Sequence, residues 1–139
     1  MTTTTTPDAS GATTGDVKTL LRLEGLVLFA GMTTLYAIWS GSWWVYAAAF
    51  FLPDLSIAAY FAGPRIGAVV YNLAHSYMLP GTLMFVGFAA RDPLILSAAM
   101  IWLAHIGFDR TLGYGLKYDR GFRYTHLGRI GKAGPTETT

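Results

Sequence analysis

The sequence predicts an all-α fold, a four-helix transmembrane bundle running up-down-up-down with both termini on the cytoplasmic side. Three observations predict it. Hydrophobic residues make up 53% of the 139 residues and charged residues only 13%, about half the share usual in soluble domains. Residues 20–113 divide into four apolar stretches separated by short turns. Nine of the ten Lys and Arg residues fall on one side of that arrangement.

Each stretch has its own start and stop signals. The first covers residues 20–38, flanked by Lys18 and Arg22 and followed by Ser40-Gly41-Ser42. The second covers 43–61, with Trp43 and Trp44 placed as interfacial anchors. Gly63-Pro64-Arg65 turns the chain into the third, 66–88, which contains Pro80. Arg91-Asp92-Pro93 makes the next turn, and proline suits the first position of a helix. The fourth covers 94–112 and stops at Gly113 and Gly115. Each is close to the 20 or so residues that a bilayer core requires. Period-2 alternation is absent, which argues against a sandwich or barrel. Short turns force neighbouring helices antiparallel. Arg91 alone among the basic residues lies on the outer side, so the positive-inside rule puts both termini in the cytoplasm.

Four segments follow: a disordered Thr-rich tail over 1–17, the transmembrane domain over 18–116, a basic aromatic juxtamembrane segment over 117–132, and a second disordered tail over 133–139. The first tail lacks the basic start and apolar core of a signal peptide. There are no cysteines, which excludes disulfides, zinc-thiolate sites and thiol catalysis.

Ionisable residues inside apolar spans are costly and mark functional sites by default. Asp54 lies eleven residues after Trp43, about 16 Å into the core at 1.5 Å per residue. His105 lies twelve after Pro93, about 18 Å from the same face, and His75 ten after Arg65, about 15 Å from the opposite one. The three meet near the midplane. Asp109, Arg110 and Glu24 lie about one turn nearer the cytoplasm. Asn72, His75 and Ser76 share one helix face by their spacing, and so do His105 and Asp109. Arg110 is the expected counter-charge for Asp109 or Glu24.

Three readings fit this cluster. In the first, His75 and His105 supply nitrogen and Asp54 and Asp109 oxygen to a divalent metal, zinc or iron. Either acid could instead act as general base, and the chemistry would be metal-assisted hydrolysis within the membrane. Glu24, Asn72, Ser76, Arg110 and His126 would support the ligands from behind. In the second, the same groups relay protons in a small proton-coupled transporter. In the third, they are interhelical polar contacts of a structural or accessory subunit, worth about 0.6 kcal/mol each.

Other features have plain structural readings beside functional ones. Pro53 and Pro80 remove backbone hydrogen bonds in mid-span and kink their helices. Gly63 with Gly67, and Gly107 with Thr111, are small-residue pairs that permit close helix approach, within the chain or in a homo-oligomer or larger complex. The basic and aromatic segment 117–132 fits anionic headgroups at the cytoplasmic face better than nucleic acid. His126 within it is either solvated or folded back as a third imidazole.

Several motifs occur in one order: Leu21-Arg22-Leu23-Glu24-Gly25, Pro53-Asp54-Leu55-Ser56, Tyr71-Asn72-Leu73-Ala74-His75-Ser76-Tyr77, His105-Ile106-Gly107-Phe108-Asp109-Arg110, Leu112-Gly113-Tyr114-Gly115-Leu116-Lys117-Tyr118 and Thr125-His126-Leu127-Gly128. Over about residues 19–130 the chain resembles a family of small bacterial integral membrane proteins catalogued as a domain of unknown function, number forty-two-sixty. The resemblance implies a multi-pass protein of the bacterial cytoplasmic membrane and carries no activity with it.

Overall fold

Turn residues cut the chain into four helical rods. The computed structural model describes residues 11–39 and 41–131; residues 1–10, Ser40 and 132–139 lie outside the described residues, and with them the second expected tail and most of the first. The first rod is one helix, α1 (Gly15–Trp39). The second changes type part-way: α2 (Trp43–Phe50) gives way after Phe51 to a 3-10 helix over Leu52–Ala62. The third is interrupted, with α3 (Pro64–Ala74) and α4 (Met78–Ala90) separated by His75, Ser76 and Tyr77. The fourth is α5 (Pro93–Leu112). A two-stranded antiparallel hairpin, β1 (Tyr124–Thr125) with β2 (Gly128–Arg129), closes the described chain.

The boundary chemistry of α5 follows its sequence. Asp92 is the N-cap, and its Oδ1 accepts from Leu94 N at 2.8 Å and Ile95 N at 3.1 Å. Pro93 takes the first helical position, where a missing N–H costs nothing. Gly113 ends the helix at φ 93°, a left-handed conformation that glycine adopts without strain.

Two breaks differ from the kinks expected of proline. Pro53 stands at the start of the 3-10 helix, so it marks a change of helix type rather than a bend. Eleven residues is long for a 3-10 helix, whose eclipsed side chains and poorer hydrogen bonds usually limit it to a turn or so. In the third rod the interruption falls at His75–Tyr77, and Pro80 sits in the first turn of α4, where its lack of an N–H is harmless.

The fourth rod is central. Twelve of the 20 residues of α5 are buried, and α1, α2 and α4 all pack on it, while α3 packs on the 3-10 helix. Rods one to three, over Gly15–Trp39, Trp43–Ala62 and Pro64–Ala90, are each long and apolar enough to cross a membrane, and their outer faces are exposed. Phe61 is 98% exposed and Trp44 89%, exposures that water would punish and lipid would not. The equivalence expected of the four stretches therefore fails for the last. Between its exposed ends at Leu94 and Leu112, most of its apolar residues face protein, and His105, Asp109 and Arg110 face the bundle interior.

At one end the core is aromatic. Tyr36, Tyr46, Phe50, Phe29 and Phe108 pack in stacked, tilted and edge-on pairs, with ring centroids 5.1–6.2 Å apart. Tyr36 Oη donates to Ser42 O at 2.8 Å and fastens the first turn. Nearer the other end α1 and α5 cross almost backbone to backbone. A Cβ on Gly25 would lie 2.8 Å from Gly107 O, and one on Gly107 would lie 2.7 Å from Gly25 O. Gly107 therefore serves packing within the chain. Gly67 plays a similar part under the ring of Tyr60.

Rigid backbone on both sides of that crossing leaves no room for a methyl group. Gly107→Ala, and Gly107→Leu more so, will lower the melting temperature in detergent, with overpacking costs of about 1–3 kcal/mol. Unfolding followed by circular dichroism that stays at the wild-type midpoint would refute the crossing.

Candidate metal centre

Asp54 reaches the bundle centre from the first turn of the 3-10 helix, His75 from the C-cap of α3, and His105 and Asp109 from successive turns of α5. The four side chains converge, with one donor atom from each lying within 4.8 Å of all the others. His75 Nε2 is 3.4 Å from Asp54 Oδ1 and 3.5 Å from Asp109 Oδ2. His105 Nε2 is 3.5 Å and 3.4 Å from the same two oxygens. The two Nε2 atoms are 3.2 Å apart. A tetrahedral ion with ligand bonds of about 2.0–2.2 Å needs edges of about 3.3–3.6 Å. Five of the six edges stand at or next to that length.

Local contacts decide which nitrogen faces the centre. Tyr71 O lies 3.0 Å from His75 Nδ1, and a carbonyl can only accept, so Nδ1 carries the proton. His75 Nε2 then bears a lone pair in the neutral ring. Tyr71 also stacks on His75, with centroids 3.8 Å apart and planes 8° from parallel, which fixes the ring's orientation. A carbonyl behind a ligating imidazole is the usual support in metal sites. His105 is held differently, edge-on to Phe50, and its buried Nδ1 has no partner among the described residues.

The interruption after α3 makes this geometry possible. Ending a helix frees carbonyls that must find donors when buried. Tyr71 O takes the backbone N–H of His75 at 2.9 Å as well as its ring. Ala74 O accepts from Trp102 Nε1 at 2.6 Å, and His75 O from an Arg110 guanidinium nitrogen at 2.9 Å. Arg110 gives a second hydrogen bond, 2.8 Å, to Tyr114 O. It is thus not the counter-charge of Asp109 or Glu24: the ion pairs within 4 Å among the described residues all join His75 or His105 to Asp54 or Asp109. A guanidinium with several fixed donors can join the carbonyl freed at the broken end of α3 to one just beyond the end of α5.

The remaining residues expected near the centre divide. Asn72 holds the C-terminal segment, donating to Lys117 O at 2.7 Å and accepting from Lys117 N at 2.6 Å. Ser76 leaves the shared face because the helix ends first, and donates to Leu73 O at 3.4 Å. Glu24 is exposed on α1 and borders a side cleft with Ser76, Arg110 and His126. His126 does fold back, but its Nδ1 accepts from Leu116 N at 2.8 Å instead of joining the cluster. Burial, then the neighbouring Arg110 charge, pushes its pKa below the ordinary histidine value.

Lys117 was not singled out by spacing. Residues 113–131 fold against the bundle, burying Lys117, Thr125 and Leu127. The Lys117 ammonium donates to Phe122 O at 3.0 Å and lies over the rings of Tyr71 and Phe122, at 4.5 and 3.6 Å from their centroids. Together with Asp54, Asp109 and Tyr71 it lines a cleft of about 320 Å³. Its presence in a motif beside two glycines was the available signal, and the pairing of the Asn72 side chain with the Lys117 backbone was not readable from one sequence.

The family model described as Domain of unknown function (DUF4260) matches residues 18–130. The chain belongs to that family. All four residues of the cluster, and Lys117, fall inside the matched region. No curated protein and no solved structure matches the chain.

Burial, partly offset by the charges of Asp109 and Asp54, lowers the Lys117 pKa from 10.5 to about 8. The unfolded chain then holds this proton more tightly than the folded one, so stability rises with pH between those two values. Lys117→Met removes that contribution. Chemical unfolding at intervals from pH 8 to 10.5 will show a shallower rise for the variant, and identical slopes would contradict the burial of the charge.

Proposed function

We propose that this protein is a multi-pass protein of the bacterial cytoplasmic membrane that binds one divalent metal ion, zinc or iron, through His75, His105 and Asp109, with Asp54 either completing the set or yielding its corner to water and acting as general base, and that it is a metal-dependent hydrolase. The observation that carries the metal reading is the set of donor spacings, 3.2–3.5 Å between the two imidazoles and from each imidazole to each carboxylate. Two nitrogens and two oxygens are a donor set that zinc and ferrous iron accept.

When bound, such an ion acts as a Lewis acid and makes water a nucleophile near neutral pH. The protein's own groups have separate tasks. His75 is locked by Tyr71, and Asp109 is buried on the rigid central helix, so both hold their atoms in place. Asp54 differs, because its side chain is 38% exposed and faces the cleft. It is the acid placed to take a proton from a water entering there.

One observation favours a second reading, a proton relay. With Nδ1 of His105 unpartnered, a proton on Nε2 gains a hydrogen bond to His75 Nε2 that a proton on Nδ1 would not have. The metal-free centre would then share a proton between two imidazoles, as a proton-coupled transporter requires.

The exposed apolar rods support a bilayer position, and the basic residues of 18–22, 65 and 117–132 support cytoplasmic termini and an up-down-up-down order. Anionic headgroups would meet the exposed cations of this face, and a second copy or larger complex is compatible with the open outer surfaces.

Metal analysis of detergent-purified protein is the direct test. Wild type is expected to hold one zinc or iron per chain, and His75→Ala/His105→Ala none while remaining folded. Metal-free wild type that drives pH-dependent ion flux in vesicles would replace the metal reading with the relay. Topology is separable, since the natural chain has no cysteine. Cysteines introduced at Thr3 and Arg91 should react with a membrane-impermeant maleimide from opposite sides, and labelling from the same side would overturn the up-down order.

A further inference from the structure

The cleft beside the candidate metal centre ends in a cation held by one carbonyl and two aromatic faces. Lys117 is 3% exposed, yet its three N–H donors have one acceptor among the described residues, Phe122 O. No carboxylate of the described residues is paired with it within the 4 Å of an ion pair. The buried ammonium borders the same space as Asp54 and Asp109. With a divalent ion balancing those two carboxylates, Lys117 leaves the cleft one positive charge in excess, so the missing partner is an anionic oxygen.

The other end of the space is apolar. Asp54 and Phe122 also border a trough of about 580 Å³ that continues along Ile57, Tyr60 and Phe61 on the outer face of the 3-10 helix. Phe61 and Leu55 are among the most exposed apolar residues of the chain, on a rod apolar enough to lie in lipid. Cleft and trough therefore form one path, with a positive end at Lys117 and a hydrocarbon end open sideways. Their sizes fall in the range of small-molecule sites, about 300–1,000 Å³.

We infer that this path binds a single-chain acyl amphiphile, its anionic oxygen head on Lys117 beside the metal centre and its tail along Ile57, Tyr60 and Phe61. The inference rests on the metal reading above and gives that site its substrate class. A molecule entering from the bilayer needs no passage through water, and its scissile polar end stops where Asp54 faces the cleft.

The test uses the full chain in phosphatidylcholine vesicles with two photoactivatable probes, a diazirine-bearing oleate and the matching oleyl alcohol. Oleate should crosslink within residues 54–61 and 117–122, and oleyl alcohol at least tenfold less. Lys117→Met should lose at least tenfold of the oleate crosslinking with its metal content unchanged. Phe61→Glu, at a position that touches no core, should lose it as well. Equal labelling by both probes, or undiminished labelling of Lys117→Met, overturns the inference. Protein that holds no metal, by contrast, overturns the metal reading and is seen in a separate measurement.

Discussion

Two imidazole nitrogens and two carboxylate oxygens crowded within 4.8 Å of one another are the constraint to which the rest of this structure answers. Two carboxylates at such a distance repel by roughly 3–4 kcal/mol at an effective dielectric near 20. Lys117, across the shared cleft, offsets part of this. Tyr71 O takes the outer proton of His75, and Arg110 spends its donors on the carbonyls of His75 and Tyr114. A small positive species at the middle resolves the conflict, and the spacing of the four atoms suits an ion of about 2.1 Å bond length. A proton shared between His75 and His105 resolves only part of it.

Holding those atoms requires the rods to be irregular. Ending α3 at Ala74 leaves Tyr71 O in place for Nδ1, and Trp102 and Arg110 absorb the carbonyls that the break sets free. In the second rod the 3-10 helix starts two residues before Asp54. Irregular backbone at membrane depth survives only where protein or a polar cavity satisfies it. Both interruptions meet that condition at the cluster, and both adjoin its ligands. The central helix α5 stays regular and carries the remaining two.

Much of this was legible in the residues. Asp92-Pro93 and Gly113 announce the ends of α5, and the depths of Asp54, His75 and His105, counted from their turns, bring them to one level. The i, i+4 spacing puts Asp109 beside His105. What escaped was non-local. No proline or glycine occupies positions 75–77, so nothing in the local sequence ends α3 there. Asn72 and Ser76 seemed to share the face of His75, and the break separates them. Arg110 beside Asp109 invited an ion pair, while its guanidinium bonds the His75 carbonyl at the break and the Tyr114 carbonyl beyond α5. Residues 117–132 looked like a surface segment because they are basic, yet Lys117 is buried where the Asn72 side chain grips its backbone, a contact that composition does not encode.

The placement of α5 has a consequence for how the molecule is made. Ribosomes deliver the N-terminus first, so the outer three rods emerge before the hub against which all three pack. His105, Asp109, Arg110 and Lys117 are all contributed by the last third of the chain. Until those residues arrive, Asp54 and His75 have no cage, and the helix break has no guanidinium to cap it. Assembly of the pocket is therefore a closing event of biogenesis, and a nascent chain stalled after α4 is a sheath without its axle.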